Sequence, residues 1–250
     1  MKIDHLVLAV DTQYQKDGKI FKAIRNAGFP CRQESGKRTK GYRTSSLYIG
    51  DEYIQLVRLL MPSGSSWKKD WVEAYNKGHR GLFCLLFETS DIESEYARLS
   101  TLNVPVTRPE PMKIKKFLGM FSRTLPWRNS FVFRFSGVPL QIGFIEYKNA
   151  KAHNILRKRR MPNSRIHSVE GIEDISIKGS FSDGDLWILT QVFPDARDTS
   201  EGLVVTLEGN QHLVCEKGPD YLVSVRTDCT EGQWRGKEVV IENVTVKNGK

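Results

Sequence analysis

His5 stands beside Asp4 inside the apolar run Ile3–Val10 (IDHLVLAV). An imidazole can ligate a metal, line a pocket or simply pack, and its neighbours decide which. The four cysteines, Cys31, Cys84, Cys215 and Cys229, form no CxxC pair and fit no zinc spacing. Cys84 lies within Leu82–Glu88 (LFCLLFE) and reads as a buried free thiol. No disulfide is expected, which fits a reducing compartment. Trp67, Trp71 and Tyr75 recur at helical spacing and read as a packing face. Arg157–Arg160 (RKRR) suggests either a phosphate or nucleic-acid contact, or a linker that is solvated or docked on acidic neighbours, and the linker is the preferred reading. No glycine-rich phosphate loop, nucleophile elbow, helix-turn-helix, zinc finger or RNP signature occurs.

The elements that carry these residues repeat. Ile3–Val10 reads as a strand, Tyr14–Ala27 as a helix closed by Gly28, and Phe29–Glu34 as a short strand. After the basic loop Ser35–Gly41, the strands Tyr42–Ile49 and Tyr53–Leu60 flank the turn Gly50-Asp51-Glu52. A short helix carries the Trp67–Trp71–Tyr75 stripe. The pattern then restarts with a strand at Leu82–Glu88, a helix from Ser90 to Leu99 and a short strand at Val104–Val106. An insertion at Arg108–Arg128 precedes the strands Phe131–Phe135 and Leu140–Tyr147. Ala150–Arg165 is a basic connector. A third, smaller unit follows: strand Gly171–Lys178, helix Asp185–Phe193, hairpin Gly202–Glu208/Gln211–Glu216 and strand Tyr221–Arg226, with a last edge strand at Val239–Val246. The expected fold class is α+β, with repeated βαβββ modules forming a curled mixed sheet at 1–148, a connector at 149–165 and a third α+β module at 166–250.

The chain has 250 residues, enough for one large domain or two small ones. No run approaches the roughly 18 apolar residues of a membrane helix. The start, Met1-Lys2-Ile3-Asp4-His5, lacks the apolar core of an export signal, so the cytoplasm is expected. The net charge of +9 is uneven. Residues 1–165 hold 30 Lys and Arg against 14 Asp and Glu, and residues 166–250 hold 8 against 15. Docking of the acidic part on the basic body is the favoured consequence.

Two consecutive β-α-β-β-β units opening with Ile3-Asp4-His5-Leu6-Val7-Leu8-Ala9-Val10 resemble the vicinal oxygen chelate superfamily, and within it the glyoxalase-like domains. Trp127 and the run Gly137-Val138-Pro139-Leu140-Gln141-Ile142 carry the same likeness, which covers residues 1–148. The resemblance implies paired modules curled into an open barrel. It also implies a divalent metal held by inward His and Glu side chains, with vicinal oxygens of a substrate binding at its open positions. Members lacking those ligands act as binding proteins.

Carried over by position, the metal set is incomplete. His5 fills the first place. Gln55 occupies the glutamate position, where an amide is a weaker ligand for a divalent ion. Glu52 faces the other way by strand parity. Cys84 aligns with His5 in the second module, and the last place falls on Gln141 or Gly143. Glu146 is a carboxylate on that strand but of opposite parity, so only a β-bulge would turn it inward. The metal candidates are therefore His5, Gln55 and Glu146, and the ligand types argue against a bound catalytic cation. No other cofactor is implied.

The resemblance makes Tyr42, Arg43, Arg123, Trp127 and Arg128 candidate pocket residues beside His5, Gln55, Cys84 and Gln141. Arginine with tryptophan suits an anionic, partly planar ligand. The leading expectation is a small-molecule-binding protein without a catalytic metal. The alternatives are a metal-dependent lyase, isomerase or dioxygenase of the superfamily, and nucleic-acid binding through the basic body, which the missing signatures disfavour. An odd number of modules leaves one unpaired, so a homodimer is a further expectation.

Overall fold

The structure is a computed structural model that describes residues 1–249 apart from 33–35, 37, 66, 117–120 and 159, and leaves aside the side chains of 113–116, 121–123, 152, 155 and 156. The N-terminal apolar run forms β1 (Lys2–Ala9). The helix that follows is two: α1 (Gln13–Lys16) and α2 (Gly18–Asn26). Asp17 divides them, because its extended backbone ends α1 and its side chain accepts the Lys19 amide at 2.7 Å, capping α2. The strand expected at Phe29–Glu34 does not form over Phe29–Arg32, and its remainder lies outside the described residues. Pro30 offers no N–H to a ladder, while Phe29 and Cys31 are buried in the core.

β2 (Tyr42–Ile49) and β3 (Glu52–Leu59) form the expected hairpin, and α3 (Lys69–Asn76) and β4 (Gly81–Glu88) follow. Asp91 caps α4 (Ile92–Thr101) by accepting the Ser94 amide at 3.0 Å. The expected insertion is instead a pair of antiparallel strands, β5 (Glu110–Lys116) and β6 (Phe121–Phe131), and β6 joins them to the sheet antiparallel to β7 (Gln141–Tyr147). Its lysine-rich sequence suits an edge strand, which must resist further pairing. Accordingly β6 ends where the next strand was expected to begin, and Val106 contributes only a single bridge to Val132.

The sheet runs β2-β3-β1-β4-β7-β6-β5. At its centre β1 and β4 are antiparallel, and each is flanked by a parallel neighbour, β3 or β7. β1 carries a register shift against β4 between Ile3 and His5. Asp4 is the extra residue, so Ile3 and Leu6 share one face while His5 and Val7 share the other.

The connector contains α5 (Ala150–Lys158) and docks on the β2–β3 turn. Asn163 donates to the Gly50 carbonyl at 2.8 Å, and the Ser164 hydroxyl accepts the Gly50 amide at 3.1 Å. Arg157 and Arg165 pair with Asp51 at 2.6 and 2.9 Å, so these basic residues are docked on acidic ones.

The C-terminal part holds β8 (Val169–Gly179), α6 (Asp183–Val192), β9 (Arg197–Asp198), β10 (Gly202–Thr206), β11 (His212–Lys217) and β12 (Leu222–Cys229). The last expected strand is a hairpin, β13 (Glu238–Ile241) and β14 (Val244–Asn248). Glu242 takes φ 56° at its turn, which the alternating pattern concealed. The second sheet runs β13-β14-β12-β8-β11-β10-β9 and repeats the first: a central antiparallel pair, β8 and β12, each with a parallel neighbour. The β12–β13–β14 unit is thus a fourth, helix-free module that pairs the third within the chain. The sheet is complete within one chain, so the pairing of modules requires no second subunit.

α2, α4 and α6 lie between the sheets in one core. Phe21, Ile24, Ile92, Leu99, Leu189 and Val192 meet Leu6, Leu8, Leu85 and Phe87 from one sheet and Ile175, Ile177, Val223 and Val225 from the other. Arg98 of α4 donates to the Gln191 carbonyl at 2.6 Å, satisfying the C-terminus of α6. At the β13–β14 turn, Asn243 accepts the Leu82 amide at 2.9 Å. Gly81 permits this approach, since a Cβ there would lie 1.8 Å from Asn243 Oδ1. All four cysteines are buried and free. Among the described residues no helix is long and apolar enough to cross a membrane.

Asp185 joins the two halves. Its buried carboxylate accepts the amides of Ser136 and Gly137 at 2.8 Å each and that of Ser182 at 2.9 Å. Burial pushes this carboxyl up, but the three amides outweigh it and hold it below the usual range. Asp185→Ala should lower the unfolding free energy by about 2–4 kcal/mol at neutral pH, read by urea denaturation. The stabilisation is present above the ordinary carboxyl value of 3.8 and disappears as pH falls through the depressed folded value. The gap between variant and wild type should therefore shrink in acid, and a gap unchanged there would contradict the assignment.

Candidate functional site

The face of the first sheet turned away from α2, α4 and α6 carries a cavity in two adjoining lobes of about 340 and 390 Å³. Both are walled by His5, Thr44, Gln55, Met112, Trp127 and Asn129. Strand alternation supplies the rest of the lining: Tyr42, Thr44, Ser46 and Tyr48 from β2, Tyr53 and Gln55 from β3, Ile145 and Tyr147 from β7.

One lobe is polar. The shift in β1 lets two sequence neighbours meet, and His5 Nδ1 lies 2.5 Å from Asp4 Oδ1. The Tyr147 hydroxyl donates to Asp4 Oδ2 at 2.8 Å. Arg160, from the connector, lies 3.5 Å from Asp4 Oδ2, donates to the Tyr147 oxygen at 3.1 Å and also reaches the Asp51 carbonyl. Its guanidinium sits 4.8 Å from the Tyr53 ring centre, and the His5 ring stacks on that tyrosine at 4.3 Å with 10° between planes. Asp4, His5 and Arg160 are buried, at 2%, 7% and 7% exposure. Burial pushes the Asp4 carboxyl up, but His5, Arg160 and the Tyr147 hydroxyl outweigh it and hold Asp4 below the ordinary carboxylate range. Burial and the Asp4 charge push the hydroxyls of Tyr53 and Tyr147 up, so both stay protonated.

The other lobe is aromatic. Trp67 and Trp71 pack edge-on to Phe83, at 5.4 and 4.8 Å between centres, and Trp71 also meets Phe131 at 5.8 Å. Trp67 precedes α3 rather than lying on it, and both tryptophans, expected only as a packing face, also wall the cavity. Lys68 reaches in among them, with Nζ 3.8 Å from the centre of Phe131 and 5.1 Å from that of Trp71. Burial holds its amine below the ordinary lysine range, although the nearby Asp70 works the other way.

The residues expected from sequence divide. His5, Tyr42, Gln55 and Trp127 line the cavity. Gln141 lies behind the lining. Its Oε1 accepts Trp71 Nε1 at 2.7 Å and Lys68 Nζ at 3.2 Å, and its Nε2 donates to the Val132 carbonyl at 2.7 Å. Cys84 is wholly buried beneath the wall, and burial pushes its thiol up, so it stays protonated. Arg43 alternates onto the opposite face from Tyr42 and Thr44, where its carbonyl accepts Gln15 Nε2 at 3.1 Å. The Arg123 side chain lies outside the described residues. Arg128 is bound to Glu146, at 2.5 Å through Nη2, and to Glu93 at 2.5 Å. β7 carries no register shift, so Glu146 keeps its outward parity and does not reach the cavity. Glu52 likewise faces the second sheet, where it accepts the Ile172 amide at 3.0 Å and burial raises its carboxyl to about 7.

The donors do not fit a divalent cation. Among the described residues no group of three His, Cys, Asp or Glu side chains is arranged to hold one. Of the three candidates, only His5 and Gln55 face the cavity, and the Asp4 carboxylate is taken up by His5, Tyr147 and Arg160.

Sequence reasoning missed Tyr147, Tyr53, Lys68 and Arg160. Parity from Gln141 would have found Tyr147. Arg160 gave no signal, being one basic residue in a run of four. Arg160→Met should cost about 3–5 kcal/mol by leaving a buried carboxylate without its cation, whereas Arg157→Met, at a surface pair, should cost less than about 1 kcal/mol. Equal denaturation midpoints for the two variants would refute the distinction.

A glyoxalase-like domain family model matches residues 3–177. A hypothetical protein from Staphylococcus aureus has the same fold over 99% of both chains, with a TM-score of 0.68 at 14% identity. Methylmalonyl-CoA epimerase of Streptomyces coelicolor, in complex with 2-nitronate-propionyl-CoA, aligns with 59% of this chain and 94% of its own, at 18% identity and a TM-score of 0.41. The Mycobacterium tuberculosis methylmalonyl-CoA epimerase aligns with 60% and 91%, also at 18% identity and 0.41. No curated protein matches the sequence.

Proposed function

The chain belongs to the glyoxalase-like domain family, in the vicinal oxygen chelate superfamily, and from that premise we propose that its cavity binds a small planar molecule bearing an anionic group, without a metal ion. The observation that carries this reading is Lys68. Its ammonium lines the cavity, and its one carboxylate neighbour within reach among the described residues, Asp70, stands 4.0 Å away on the half-exposed side. A partly desolvated cation among aromatic faces favours an anion that restores its hydrogen bonds and supplies a flat apolar body for the rings. Trp67, Trp71, Trp127 and Phe131 provide those faces. Lobes of 340 and 390 Å³ suit a ligand of one or two rings. Arg160 is a weaker anchor, because Asp4 already neutralises it.

Benzoate and salicylate are suitable probes, with benzamide as the neutral control. Calorimetry should show the carboxylates binding, and Lys68→Met should weaken them about 10–100-fold, the worth of one charge-assisted hydrogen bond, while changing benzamide little. Equal losses for acid and amide would show that Lys68 only shapes the wall.

The metal-dependent lyase, isomerase or dioxygenase reading is tested separately. Titration with Ni²⁺, Zn²⁺, Fe²⁺ and Mn²⁺ should give no tight stoichiometric binding. Such binding, lost in His5→Ala, would replace the present reading with the metal-dependent one. The cytoplasm is the proposed location, since four buried free thiols suit a reducing compartment.

A further inference from the structure

We propose that His5, backed by Asp4, is the proton acceptor of the cavity and takes the proton of an acidic hydroxyl, phenolic or enolic, carried by the planar anionic ligand. This rests on the binding reading above and names the chemistry of the ligand's other end.

The geometry settles which nitrogen does the work. Nδ1 lies 2.5 Å from the buried Asp4 carboxylate, so Nδ1 donates there and, in the neutral ring, the lone pair is on Nε2. Stacking on Tyr53 fixes the ring plane. The ring lines both lobes, and among the described residues no protein donor is bound to Nε2. The cavity therefore offers a cation at Lys68 and a strong, preoriented acceptor at His5, which together select a molecule with an anion at one end and a hydrogen-bond donor at the other.

An acidic donor is favoured over an ordinary alcohol by the charges around the ring. The groups facing His5 are Asp4 on its own strand, Tyr53 from β3 with Tyr48 beyond it, Tyr147 from β7 and Arg160 from the connector. Asp4 and Arg160 cancel, and the tyrosines are neutral. When the ligand O–H breaks, its electron pair stays on oxygen and the proton bonds to Nε2. The cluster then carries one net positive charge beside one new oxyanion. Asp4 stabilises the imidazolium through Nδ1 without taking the proton itself, because Arg160 and Tyr147 keep it ionised. A protonated imidazole thus supplies the positive charge in a cavity whose donors do not suit a divalent cation.

The test uses 4-hydroxy-3-nitrobenzoate, whose phenolate absorbs visibly, and its methyl ether, which has no proton to give. Binding is read by calorimetry and ionisation by absorbance across a pH series. The bound dye should ionise about one pH unit or more below the free dye, the effect of an adjacent opposite charge. His5→Gln should still bind the dye but return its midpoint to the free value. With unaltered protein, the methyl ether should bind about tenfold more weakly than the phenol. An unshifted midpoint, an equal shift in His5→Gln, or equal affinity for the ether would overturn the assignment while leaving the binding site intact. Absence of binding by both dyes would overturn the binding reading and this one together.

Discussion

A carboxylate cannot be buried without partners, and Asp4 is buried. An ionised group taken out of water costs several kcal/mol unless opposite charge and hydrogen bonds replace its hydration. Asp4 gathers those partners from three places: His5 on its own strand, Tyr147 at the end of β7, and Arg160 from the connector. Meeting that requirement shapes the site. The extra residue in β1 aims Asp4 and His5 at each other, the connector is drawn against the β2–β3 turn, and the histidine is left with one nitrogen for the cavity. Arg160 is consequently a neutralising residue rather than a free anion receptor, which shifts that task to Lys68.

The second constraint is that a curled sheet has two faces and only one can be opened to a ligand. Helices cover the outer face, and a second sheet of the same topology covers the helices. Leu6 and Leu8 thereby join a core that also holds Ile175 and Val225, while Val7 and Ala9, on the alternate face, belong to the aromatic wall. The third and fourth modules thus buttress the outer face and leave the cavity face clear. Polar contacts fix the seam: Asp185 on the 136–137 turn, Asn243 on β4 and Glu52 on β8.

The residues at the metal-ligand positions of the resemblance, His5 and Gln55 apart, are occupied by other work. Gln141 orients Trp71 and Lys68, Glu146 holds Arg128, and Cys84 fills space beneath the wall. Gln141 Oε1 already accepts two hydrogen bonds, Glu146 is turned away from the cavity, and Cys84 is a buried, protonated thiol beneath its wall, so none of the three is placed to ligate a cation there.

Alternation and helical spacing were enough, from the sequence, to recognise the repeated modules and the outward parity of Glu146 and Glu52, while the resemblance to glyoxalase-like domains pointed to His5, Tyr42 and Gln55, which the structure places on the cavity wall. The modules and the parity are local periodicities, and a strand's two faces can be read from residue types alone. Only the tertiary structure decided the rest. The register shift at Asp4 breaks the parity that sequence reading relies on. The Glu242 turn makes two strands of one and completes a fourth module. The strands β5 and β6 declare themselves by pairing with each other and, through β6, with β7, because the lysines of β5 and the polar residues of β6 leave little apolar signal. Arg160 becomes part of the site by meeting a carboxylate 156 positions away in sequence. A buried charge pair of that kind is a contact between distant segments, and no pattern within either segment encodes it.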